Sequence, residues 1–255
     1  MKVGVVIGSF NIPQFVELQL AAIQYHCGSI PVLIADNCSD GYDQIYRHPE
    51  TKYWQLHRII QKYPNAKIWQ SYEYVSWGGD IAAYWKGIVW AKHTGLDILF
   101  KLSQRCLVDY ENWAQIWGEK LFESDCETLG RDCDWHKWKF RTESAGLKVN
   151  AWYDTDILET LMPRDLKGWP TEQMMYDDII QKRFDGRLLK WDLMAKSRPE
   201  RSPYILYREP NEAADYEKVA RKLNIPIGDY DCRSREACKG MDRIVNGLWV
   251  PPNAK

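Results

Sequence analysis

The stretch DILFKLSQRCLV, residues 97–108, decides how the rest of the chain is read. Its first half is apolar, with Ile98, Leu99, Phe100 and Leu102, and reads as a buried strand. Its second half carries a polar trio, Ser103, Gln104 and Arg105, before the chain turns apolar again. A polar trio with a cation at the end of a core strand has a use in a parallel sheet, because ligands gather outside the carboxyl ends of such strands.

Working outward from that strand, the preceding residues alternate strand and helix. KVGVVIGSF (2–10) is a β-branched run that ends in polar residues. Asn11 and Pro13 then open a helix with Phe15, Leu18, Ala22 and Ile23 at helical spacing, and Gly28 closes it. IPVLIADN (30–37) is a second buried strand ending at Asp36 and Asn37. A helix over 51–63 follows, then a strand over 66–75, then GGDIAAYWKGIVWAKHTG (78–95), a helix opened by two glycines. This order predicts an α/β fold of Rossmann type, a mostly parallel sheet with helices on both faces. Its carboxyl-end rim would gather residues 9–11, 36–37, 75–80 and 103–105.

The second half has a different texture and predicts a mixed α+β region. A helix is expected over 112–124. WHKWKFR (135–141) alternates aromatic and basic residues with period two, which predicts a strand, as does LKVNAWY (147–153). Helices over 154–162 and 170–184 and a strand over 187–193 follow. From about residue 208 the chain holds one more helix (211–223) and then a loop-rich extension.

Composition narrows the partners. The 255 residues include 34 Lys and Arg against 35 Asp and Glu, so no global field favours nucleic acid or a membrane surface. Seven Cys without a CxxC pair fit free thiols in a reducing, cytoplasmic compartment and not a zinc centre. The N-terminus lacks a signal-peptide layout, and no apolar run reaches the ~20 residues of a membrane span.

At this point the chain resembles a family. The first strand ending in SFN, ADNCSDG after the second, the helix GGDIAAYWKGIVWA and ILFKLSQRCLV resemble the nucleotide-sugar half of GT-A-fold glycosyltransferases, the family-2-like transferases in particular. The likeness runs over about residues 1–190. It implies a GT-A-like domain over 1–207, with a nucleotide-sugar-binding half (1–108) and an acceptor and catalytic half (109–207), and 208–255 as an extension of it. The implied donor is a nucleotide-diphosphate sugar, and the implied enzyme a hexosyl- or pentosyltransferase. The resemblance carries donor binding onto Ser9, Asn11, Asp36, Asn37, Gly79, Asp80, Ser103, Gln104 and Arg105. Asp36 and Asn37 would read the base or ribose, the rival reading being an Asx turn. Asp80 would be a helix cap or a hydroxyl acceptor.

The family's fourth strand ends in a DxD-type motif that holds a divalent cation. Here Ser103-Gln104-Arg105 stands in its place, a degenerate DxD. Ser and Gln are poor ligands for a hard cation, and Arg has no acceptor atom at all. The expectation is therefore a metal-independent enzyme, with no metal and no cofactor, in which the Arg105 guanidinium meets the diphosphate.

Inverting transfer needs a carboxylate to take the acceptor's proton. In WPTEQMMYDDIIQKRF (169–184) the apolar stripe centres on Met175, Tyr176, Ile179 and Ile180. Glu172 falls within that stripe and Asp177 and Asp178 outside it, so Glu172 is the candidate base and Asp178 its reserve. The acceptor stays open between glycan, lipid carrier, protein and nucleic-acid base. Rival functions are a non-catalytic nucleotide-sugar or glycan-binding module, a transferase acting on a modified nucleic-acid base, and a nucleotidyltransferase, which lacks here its Gly-rich, Arg-containing loop. Lys196, Arg198, Arg201 and Arg208 would form a basic loop closing on the diphosphate.

Overall fold

A computed structural model describes residues 1–39, 51–72, 79–130, 140–163, 171–191, 205–206, 213–226, 244–245 and 248–249. Four parallel strands form its centre: β1 (Val3–Ser9), β2 (Val32–Asp36), β3 (Ala66–Gln70) and β4 (Ile98–Ser103). Between them run α1 (Pro13–Cys27), α2 (Lys52–Ile60) and α3 (Gly79–His93). Pro13 at the first turn starts α1, and Gly28 ends it at φ 68°, a conformation that glycine adopts without strain. Thr51 caps α2 by accepting from the Trp54 N–H.

After β4 come the short β5 (Leu107–Val108) and α4 (Trp113–Glu123), then β6 (Thr128–Gly130) and β7 (Ser144–Lys148). Next are α5 (Val149–Trp152) and α6 (Thr155–Thr160). Then α7 (Thr171–Met174) runs on through a π-helical stretch, Met175–Gln181, to a last turn at Lys182–Phe184. Two short strands, β8 (Leu189–Lys190) beside β6 and β9 (Ile205–Leu206) beside β5, precede α8 (Ala213–Lys222). The main sheet has the order β3-β2-β1-β4-β7-β6-β8. In it β7 is antiparallel to both β4 and β6, so the parallel half and the mixed half meet at β4.

Alternate residues of each central strand feed two cores. Val5, Ile7, Ile34, Phe100 and Leu102 pack under α1, α2 and α4. Val6, Leu33, Leu99 and Leu147 pack under α3, α5 and α7 with Tyr84, Trp152 and Phe184. That is the burial on both faces expected of a doubly covered sheet. Helix α3 lies tight on its face because Gly87 has no side chain: a Cβ there would stand 2.6 Å from Val6 Cγ1. Gly87→Ala should therefore cost about 1–3 kcal/mol by overpacking. Its melting temperature should fall by several degrees, and an unchanged melt would show that α3 can lift off the sheet freely.

Three expectations need correction. LKVNAWY is not a strand: only Leu147 and Lys148 belong to β7, and Val149–Trp152 is a helical turn. That turn swings Trp152 beneath the sheet to stack on Tyr84. Of WHKWKFR, residues 135–139 lie outside the described residues. Phe140 and Arg141 are not in a strand; Phe140 is buried with its ring close over Gly130. The third strand stops at Gln70, and residues 73–78 of the expected rim lie outside the described residues, as do Lys196, Arg198, Arg201 and Arg208.

Candidate functional site

The parallel registers bring four strand ends level. Ser9 is opposite Asp36, Asp36 is opposite Gln70, and Gly8 is opposite Ser103. The rim expected from the sequence therefore exists, and three of its clusters can be followed atom by atom.

At the end of β2, Asp36 is fully buried. Its carboxylate accepts from the Ser39 N–H (2.9 Å) and the Ser39 hydroxyl (2.6 Å). The Ser39 hydroxyl in turn accepts from the Asn11 N–H (2.9 Å), which ties the β1 and β2 ends together. Asn11 sits at φ 56°, a left-handed conformation that Asn tolerates better than most residues. The main chain of Ser9 accepts from the Asn37 N–H at 2.8 Å. The Asx-type turn at Asp36 is thus present. Burial pushes the Asp36 carboxyl up to about 6, against the pull of Ser39 and of the Lys86 charge. Lys86 reaches up from α3 and donates to the carbonyls of Asp36 (3.1 Å) and Trp69 (3.0 Å) and to the Ser71 hydroxyl (2.7 Å). Desolvation pulls its ammonium down to about 8.

Gly79 opens α3 directly beneath Asn37, where a Cβ would stand 2.9 Å from Asn37 Nδ2. The glycine lets the β2 loop and the helix start approach each other. Asp80 follows in the first turn, and its carboxylate is turned toward β4. Lys101, with no exposed surface, donates to Asp80 Oδ1 at 2.6 Å, to the Ser103 hydroxyl at 2.9 Å and to the Thr142 carbonyl at 2.6 Å. The Ser103 hydroxyl donates to the same Asp80 Oδ1 at 2.9 Å. The ammonium also lies 5.0 Å from the centre of the Tyr84 ring. Thr142 and Glu143 come from the segment entering β7. Glu143 is buried, paired with Arg141, and its carbonyl accepts from the Ser103 N–H at 2.7 Å.

Tyr84 is fully buried, and its phenol is held well above its ordinary range. Burial is the main cause, and the carboxylates of Asp80, Glu143 and Glu172 add to it. Glu172 is half-buried at the start of α7 and accepts from the Thr171 hydroxyl at 3.1 Å. Asp178 is elsewhere. It pairs with Lys182 at 2.6 Å and faces a groove of about 530 Å3, lined also by Asp156, Thr160 and Arg183, between α6 and the π-helical stretch. No rim residue lines that groove.

The rest of the polar trio splits in two directions. Gln104 Oε1 accepts from the Phe10 N–H at 2.6 Å, closing β4 onto the β1 loop. Arg105 is only 3% exposed, and its guanidinium sits 5.9 Å from the Phe15 ring centre on the α1 side. Its carbonyl accepts from the Tyr216 hydroxyl of α8. Asp109, beyond it, is bound by His26 (2.6 Å) and Lys222 (2.9 Å).

The sequence singled out Asp80, Ser103 and Glu172 but not Lys101, Lys86, Tyr84, Thr142 or Glu143. A signal for Lys101 existed: a lone Lys in the otherwise apolar ILFKLS of a strand buried on both faces requires a buried partner. Nothing in the local sequence names that partner, 21 residues away.

No protein-family model matches this sequence, and no curated protein sequence does. Solved structures do match in fold. One is the mannosyltransferase PcManGT from Pyrobaculum calidifontis, determined in complex with GDP-Man and Mn2+. It is 13% identical with a TM-score of 0.51, over 74% of this chain and 54% of that one. Another is TarS of S. aureus, 13% identical with a TM-score of 0.50, over 88% of this chain and 39% of that one. The chain thus spans about half the length of the first and less of the second. With the sheet order and the rim, these likenesses establish that the fold of this chain is the GT-A fold.

Proposed function

We propose that this chain is a glycosyltransferase that moves a sugar from a nucleotide-diphosphate sugar to an acceptor hydroxyl or amine, with inversion. The observation that carries the reading is the convergence of Asp80, Ser103 and Thr142 on Lys101, beside the Tyr84 ring, at the carboxyl end of β4. There the parallel, nucleotide-type half of the sheet meets the mixed half. The 36–39 turn and Asn37 form the nucleoside side of the site, and Ser9, Asn11 and Gln104 fix its loops. Glu172 takes the acceptor's proton as the acceptor atom bonds to the sugar carbon. The bond from that carbon to the phosphate oxygen breaks, and the nucleoside diphosphate leaves. The neighbour PcManGT binds GDP-Man, which supports a donor of this chemical class.

PcManGT also holds Mn2+. The residues at the β4 end of this chain do not fit such an ion. Asp80 Oδ1 is already bound by an ammonium and a hydroxyl, Gln104 Oε1 by a main-chain N–H, and Arg105 has only donors. Among the described residues no group of three or more His, Cys, Asp or Glu is placed to hold a metal. In this reading the diphosphate is met by protein cations and main-chain N–H groups.

Asp36 gives a test through pH. Folded Asp36 keeps its proton up to about 6, whereas in the unfolded chain it ionises near 3.8. Between those values the folded state holds a proton that the unfolded state has lost, which favours folding on the acid side and is lost as pH rises through about 6. Asp36→Asn stays neutral, so its stability relative to the parent should improve from pH 4 to pH 7 by on the order of 2 kcal/mol. If the carboxylate also accepts from the base or ribose, nucleoside diphosphate affinity in the parent should fall below about pH 6, and in Asp36→Asn it should be flat. Affinity without pH dependence in both would leave Asp36 as a turn residue only.

A further inference from the structure

Lys101 is a charged residue that the fold surrounds completely. It has no exposed surface, yet it carries an ammonium inside the sheet. Isolated burial of such a charge would be prohibitive, so its surroundings must repay it. They do: its three N–H donors have three acceptors at 2.6–2.9 Å, and the Tyr84 ring covers another side. The acceptors come from α3, β4 and the segment before β7, so the ammonium is the point at which the two halves of the site are fastened.

The partner carboxylate is held unevenly. Asp80 Oδ1 takes both Lys101 and Ser103, while among the described residues Oδ2 has only the Thr142 hydroxyl, at 3.5 Å. The Asp80 side chain is 38% exposed even though Lys101 is sealed. One oxygen is therefore anchored inward and the carboxylate still reaches the surface of the rim. An anchored, ionised carboxylate is a strong and well-aimed acceptor.

We propose that Lys101 is a positioning residue: a resident ammonium that locks Asp80 by one oxygen so that the other accepts a hydroxyl of the bound nucleotide sugar. This rests on the donor-site reading above. Lys101 never touches the ligand. It acts through Asp80, and the same occupancy denies Asp80 Oδ1 to a divalent cation. The role distinguishes Lys101 from Lys86, whose ammonium mainly closes the carbonyl ends of β2 and β3.

The test is a binding cycle on the whole chain with UDP-glucose and GDP-mannose as probes, by calorimetry at a temperature where every variant is folded. Asp80→Asn should weaken the probe that binds by about tenfold or more, the scale of one charged hydrogen bond. Lys101→Met should weaken it similarly, and the double variant should be no weaker than Asp80→Asn within about twofold. Additive losses, or Lys101→Met binding as the parent does, would overturn the inference while leaving the donor site standing. If neither probe binds the parent, the donor-site reading fails for these donors and the inference falls with it.

A ligand-free measurement covers the case in which Lys101→Met does not fold. In the parent a slowly exchanging lysine ammonium should be visible by 15N NMR, and Asp80→Asn should speed its exchange. An ammonium with no such protection, or one indifferent to Asp80→Asn, would overturn the lock itself.

Discussion

Glu172→Gln should lower transfer by about a hundredfold or more while nucleotide-sugar affinity stays within about twofold of the parent. The substitution keeps shape and removes proton acceptance. The start of α7 is where such a base belongs, because it holds a half-buried carboxylate whose charge, like those of Asp80 and Glu143, reaches Tyr84. A general base of this kind contributes in the chemical step and not in donor binding, so kcat should carry the loss. Steady-state turnover measured beside calorimetry separates the two. Near-parent turnover in Glu172→Gln would remove Glu172 from the reaction. Asp178 is a poor substitute on geometry, since Lys182 holds it in a different groove.

The second large effect concerns Arg105. Its guanidinium is almost sealed against Phe15, and its carbonyl holds the Tyr216 hydroxyl of α8. Arg105→Ala should lose the guanidinium beside the Phe15 ring as well as the charge, costing about 1–3 kcal/mol of stability and, if that charge reaches the diphosphate, about tenfold or more in donor affinity. Arg105→Lys should recover part of the affinity, because it keeps the charge and loses the fork. If both variants bind the donor as the parent does and differ only in their melts, Arg105 serves to pack α1 against α8 and has no part in meeting the diphosphate.

These two cases show what a sequence makes legible and what it hides. The parallel half of the sheet is readable because β1, β2 and β4 are largely apolar runs and its helices are marked by Pro13, Thr51 and Gly28. The mixed half is harder. β6 is a three-residue strand, Thr128–Gly130, with no periodicity to detect. Val149–Trp152 looks like a strand by composition, but it folds as a helical turn because burial of Trp152 under Tyr84 and Phe184 overrides local propensity. In the site, position along the chain marks Ser103, Gln104 and Arg105 as one motif. The fold sends them three ways: Ser103 to Asp80, Gln104 to Phe10, Arg105 to Phe15. The cation that Asp80 meets is Lys101, two residues earlier, and only the register of β4 against β7 and α3 makes that pairing visible. The likeness to GT-A transferases pointed to the carboxyl-end rim, while the contacts on it come from distances that no motif encodes.

The most direct measurement of the central claim is the melting temperature of the parent chain against UDP-, GDP-, CDP- and dTDP-sugars, each with and without EDTA. A ligand at about a hundred times its Kd stabilises by about 2.7 kcal/mol, which for a chain of this size is a rise of roughly 5–10 °C. The account predicts such a rise with at least one nucleotide sugar, unchanged by EDTA. No rise with any of them, or a rise that EDTA abolishes and Mn2+ restores, would contradict it.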